Sequence, residues 1–66
     1  MKLFFEKPFR NIRYELLNLN GQVFQVERIP SGSEIFSLAF PHIASGFYIL
    51  RVHADEHIFL QKIVAY

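Results

Sequence analysis

The side chains that could do chemistry are few and scattered. Cysteine is absent, and the metal-ligating or nucleophilic groups that draw attention are His42, His53 and His57, Ser31, Ser33, Ser37 and Ser45, and the neighbouring carboxylates Asp55 and Glu56. His53 and His57 flank the last turn signal of the chain. A three-residue loop there would set them directly opposite one another, whereas a two-residue loop would send them to opposite faces of a hairpin. Even the favourable register supplies two ligands. His42 lies on a distant connector, and structural zinc normally takes four ligands, so no metal centre is expected. The serines lack the strand-turn-helix setting of a nucleophile elbow. Asp55 and Glu56 are adjacent, so they point in alternate directions and cannot work as an acid-base pair; they read as solvated turn residues. No catalytic residue, cofactor or metal is expected. The chain is expected to act by being recognised.

What must be positioned, then, is a surface, and the composition bounds how. Sixty-six residues allow one small domain, 1–66, and a chain of this size buries only about 60% of the surface its unfolded form exposes. With no disulfide available, bulky side chains or a partner must supply the stability, and eight Phe and three Tyr are the obvious source. Seven Lys and Arg stand against six Asp and Glu with the signs interspersed, so no field exists to collect nucleic acid or anionic lipid. Met1-Lys2-Leu3-Phe4-Phe5 meets Glu6, Lys7 and Pro8 before a signal-peptide core has formed, and no run approaches membrane-spanning length. Any export signal is therefore expected upstream of Met1.

Turn signals at short intervals divide the chain into six predicted strands. Lys2 to Glu6 is closed by Lys7-Pro8, where proline removes a ladder donor. Ile12 to Leu17 has period two, with Ile12, Tyr14 and Leu16 on one face and Arg13 and Glu15 on the other. Asn18-Leu19-Asn20-Gly21 is a tight reversal, since Asn and Gly tolerate positive φ, and Gln22 to Ile29 returns. Glu34 to Leu38 is a short strand after Pro30-Ser31-Gly32-Ser33. Ala39 to Gly46 is an irregular connector. Phe47 to Ala54 and Ile58 to Ala65 form the last hairpin around Asp55-Glu56. Frequent turns between strands of this length imply an all-β sandwich or small barrel.

Three runs at these spacings carry a resemblance: Asn18-Leu19-Asn20-Gly21, Gly46-Phe47-Tyr48, and Lys62-Ile63-Val64 close to the C-terminus. Their order resembles the C-terminal sorting domain, type A, of proteins exported by the type IX (Por) secretion system of Bacteroidetes. In that family the turn usually reads Asp-x-x-Gly and then a basic residue, where this chain has Asn18 and Gln22. The next motif is commonly Pro-x-Gly-x-Tyr; Gly46 and Tyr48 meet it, with Ala44 in place of the proline. Glu56 stands where a glycine usually opens the last strand, and the chain ends on Tyr66 rather than Lys or Arg. The resemblance implies a small immunoglobulin-like antiparallel β-sandwich of six to seven short strands, cut from a larger exported protein. It also implies a non-catalytic tag that takes an attached cargo domain through the periplasm to the cell surface or beyond. The implied partners are the outer-membrane translocon, its shuttle proteins and a sortase-like peptidase. Gly46, Tyr48, Lys62, Ile63 and Val64 are the recognition residues it suggests.

Each of these residues also has a plainer reading. Gly21 is a turn glycine, Gly46 lets the connector enter its strand, Tyr48 packs inward with its hydroxyl satisfied at the rim, and Lys62 is a solvated residue that discourages edge pairing. The phenylalanines are harder to place in a two-layer core. Phe4 and Phe5 are adjacent and must point oppositely, so some apolar surface is expected outside, fit for a receptor, the cargo or self-association through exposed aromatics. Two other functions fit the pattern: an adhesion or carbohydrate-binding sandwich, weakened by the absence of tryptophan, and a self-associating structural subunit.

Overall fold

The computed structural model describes residues 1–40 and 43–66. Six strands run in chain order: β1 (Lys2–Phe4), β2 (Ile12–Asn18), β3 (Val23–Ile29), β4 (Ile35–Ser37), β5 (Gly46–Ala54) and β6 (His57–Ala65). They form two antiparallel sheets, one of four strands in the order β3-β2-β5-β6 and one of two, β1-β4. The fold is all-β. The connector prediction over His42 falls outside the described residues.

Alternation decides which side of the large sheet is dry. Ile12, Tyr14 and Leu16 on β2 lie across from Ala54, Val52 and Leu50 on β5, and all six are buried. The short sheet covers this face. Leu3, Phe5, Phe36 and Phe40 pack against the core, and buried Leu38 and Phe9 complete it. Aromatic edges fill the gaps, as with Tyr14 against Phe40 at 6.3 Å and Phe5 against Phe9 at 6.1 Å. Phe4, pointing the other way from Phe5, is exposed.

The first hairpin is closed by local chemistry. Asn18 Oδ1 accepts from the amides of Asn20 and Gln22, both at 2.9 Å, while Gly21 turns the chain at φ 87°. A shift of register between Leu16 and Leu17 then sets Leu17 across from Val23. Strands β1 and β4 are three residues each, shorter than predicted. Both are too short to reach across nine-residue β6, so the dry layer stops before the edge of the large sheet.

Candidate functional site

The last hairpin gathers the suggested recognition residues at one end. Gly46 lies across from Ala65, Phe47 from Val64, Tyr48 from Ile63 and Ile49 from Lys62. Pairing nevertheless divides them between two faces. Tyr48 is 5% exposed and its hydroxyl donates to the carbonyl of Ala44 at 2.6 Å; Ile63 packs beside it against the core. Tyr48 is held in the interior, and Ile63 is half-buried beside it. Lys62 and Val64 share the outer face with Phe47, and Lys62 Nζ sits 5.1 Å from the centre of the Phe47 ring, a cation over an aromatic face. Gly46 has φ 151°, a backbone region that side chains rarely adopt, and a Cβ there would meet open space. Its role is conformational.

Continuing along the outer face, Glu15 ties three strand positions together. Its Oε1 accepts from Arg51 Nε at 2.9 Å and lies 2.6 Å from His53 Nε2. The hydrogen bond from Arg51, with His53 beside it, holds the carboxyl at about 2, although partial burial pushes the other way. Nothing in the sequence flagged this trio, because Glu15 and its two partners are separated by 36 and 38 residues. Their alternation onto a shared face was readable; their register was not. Around the trio the face is mixed: exposed Arg13 lies across from His53 with exposed Arg28 beyond it, while exposed Val26 lies across from Glu15 and exposed Leu60 across from Arg51.

The turn after β5 has two residues, so Ala54 pairs with His57 and the two histidines separate. His53 joins Glu15 on the outer face; His57 stacks with Phe59 at 6.1 Å and meets the edge of Phe9 at 5.8 Å. Among the described residues, no three His, Cys, Asp or Glu side chains gather closely enough to hold a metal ion. The expectation that Asp55 is simply solvated is corrected by its contacts. Its carboxylate accepts from the amides of Asn11 at 2.9 Å and Arg10 at 3.2 Å, and its own amide donates to the Asn11 carbonyl at 2.8 Å. Those backbone donors, that of Asn11 foremost, hold the carboxyl below the usual carboxylate range.

Strand β6 is the most open element. Ile58, Phe59 and Leu60 are exposed in succession, on both faces, and among the described residues β6 pairs with β5 alone. Between β6 and β1 runs an open groove of about 810 Å³, floored by Leu50 and Val52 and walled by Leu3, Phe5, Phe9 and Phe59. Among the described residues the groove is lined mainly by apolar side chains, a surface suited to an extended or flat apolar partner.

A family model described as a secretion system C-terminal sorting domain matches residues 2–66. No curated protein and no solved structure matches the chain at a significant level.

Proposed function

The chain belongs to the secretion system C-terminal sorting domain family, and from that premise we propose that it is an inert address on an exported protein. A sorting domain sends what is attached to it to the cell surface or out of the cell, which requires contact with secretion machinery and a cargo. The finer reading is that the machinery is the type IX outer-membrane translocon of a Bacteroidetes cell with its shuttle proteins, reached from the periplasm. A sortase-like peptidase then removes the tag. The domain itself does no chemistry, and its two sheets are of the immunoglobulin-like kind.

The observation that carries this reading is the family match along nearly the whole chain, and the last hairpin supports it with a docking surface. Its outer end holds Phe47, Lys62 and Val64 in one exposed patch beside the C-terminus, while Tyr48, Ile63 and Gly46 fix the backbone beneath. A receptor gains affinity there from apolar side chains and the Lys62 cation.

A reporter fused to the N-terminus of the chain tests the proposal in a cell with type IX secretion. The full tag is expected to carry the reporter outside. Removing Lys62 to Tyr66, or changing the exposed pair Lys62→Ala and Val64→Ala, is expected to retain it inside. Export that survives both changes, with circular dichroism showing folded tags, refutes the role assigned to this end of the hairpin.

A further inference from the structure

Charges that alternate along the chain separate when it folds. The outer face of the four-stranded sheet carries Arg13, Arg28, Arg51 and Lys62 against Glu15 alone, a net +3 on a chain whose total is +1, which leaves −2 for the rest of the molecule. The imbalance is sharpest at the end away from the C-terminus. Arg13 lies directly across from Arg28 on β3 and from His53 on β5, so two permanent cations and an imidazole stand side by side over three strands. Like charges directly opposite destabilise a sheet. The one carboxylate on this face does not relieve them. Glu15 Oε1 is taken by Arg51 and His53, and among the described residues neither Arg13 nor Arg28 has an ion-pair partner.

We propose that this face docks an extended acidic segment of a protein partner, whose carboxylates close onto Arg13 and Arg28. The choice of occupant follows from charge and spacing. Three of the four cations are Arg, whose planar fork takes a carboxylate through two parallel hydrogen bonds. Asn11, Ile12, Arg13, Arg28, His53 and Asp55 line an open recess of about 290 Å³, which has room for a carboxylate. Asp55 in its wall, and Glu15 bound to His53, disfavour a doubly charged group such as phosphate. Apolar side chains continue along the same face: exposed Val26 lies two residues from Arg28, and exposed Leu60 lies across from Arg51. An extended segment that shows acidic and apolar residues in turn on one side matches both. A lipid surface or a nucleic acid would ask instead for a broad cationic field unbroken by carboxylates. The proposal rests on the sorting reading for the bearer of the segment, a component of the secretion machinery, and on this face alone for its chemistry.

Nuclear magnetic resonance titration of the isotope-labelled 66-residue chain tests it. The probe is a synthetic peptide of repeated Asp-Ser-Val-Ser, which as a strand presents Asp and Val alternately on one side. At millimolar peptide the signals of Arg13, Arg28 and Val26 are expected to move. The same peptide with Asn for Asp is expected to bind about tenfold more weakly, as is the acidic peptide to the double variant Arg13→Gln with Arg28→Gln. That variant removes a like-charge pair, and circular dichroism checks its fold. If it does not fold, the single change Arg28→Gln on the edge strand decides, with an expected loss of about threefold. A wild-type chain indifferent to the acidic peptide overturns the proposal, and so does binding that survives the Arg changes. Inorganic phosphate that binds as tightly as the peptide overturns it in favour of a plain anion site. Sedimentation of the chain with vesicles of phosphatidylcholine and phosphatidylglycerol overturns it in favour of a lipid surface. These measurements read binding in solution, so a tag that exports its reporter yet ignores the peptide sinks this proposal alone, and one that binds the peptide without exporting sinks the sorting reading alone.

Discussion

Glu15 shows how much a sheet can make of one carboxylate. Its side chain is only 13% exposed, yet it stays ionised because Arg51 and His53 reach it from the adjacent strand. A carboxyl held at about 2 when folded, and near the ordinary carboxylate value when unfolded, binds more protons in the unfolded state. Its contribution to stability is therefore full above the unfolded value and fades as pH falls from about 5 towards 2. Glu15→Gln is expected to cost about 1 kcal/mol at pH 7, a figure reduced for solvent screening, and almost nothing at pH 2. Urea titrations of both proteins at the two pH values check this; an equal difference at both would mean that packing, not charge, is what the substitution removes.

The elements are joined by contacts that individual strands do not reveal. Asp55 belongs to the β5–β6 turn but fastens the segment before β2, since both Arg10 and Asn11 donate to it. It also sits at φ 53°, a left-handed conformation that Asn and Asp tolerate better than Ala. Asp55→Asn keeps a side-chain acceptor and the backbone tolerance, whereas Asp55→Ala loses both. Thermal melts are expected to rank wild type above Asp55→Asn and Asp55→Ala lowest. Wild type is also expected to lose its margin over Asp55→Asn as pH drops below the usual carboxylate range, because that carboxyl is held low by folded-state donors. An alanine variant that melts with wild type would show that the latch contributes nothing.

At the scale of the whole molecule the core is narrow. Leu50 is fully buried at its centre, across from Leu16 and Gln61 in register. Replacing a buried leucine with alanine costs about 2–5 kcal/mol, a large share of the roughly 3–10 kcal/mol expected for 66 residues. Leu50→Ala is accordingly expected to lose most of its cooperative denaturant transition, whereas Val26→Ala, at an exposed edge position, should stay within about 0.5 kcal/mol of wild type. A cooperative transition retained in full by Leu50→Ala would mean that the chain has stability the core does not supply. The narrowness has a functional side: the apolar surface that the second layer leaves open is the surface available for partners.

Strand existence and the facing of Ile12, Tyr14, Leu16 and Tyr48 were legible in the residues alone. Period-two alternation in Ile12 to Leu17, the Asn18 to Gly21 reversal and the Asp55-Glu56 turn are local features, and local sterics and side-chain hydrogen bonds determine them. The family resemblance read from Gly46, Tyr48 and Lys62-Ile63-Val64 was legible for the same reason, since those motifs are turns and strand ends. The meeting of Glu15 with Arg51 and His53 was not, because register between distant strands is fixed by packing of the shared dry face. Nor did the sequence disclose Asp55 as an anchor or β6 as the uncovered edge. Those follow from which strands find neighbours, and that choice belongs to the folded sheet as a whole, where two three-residue strands are too short to cover a nine-residue one.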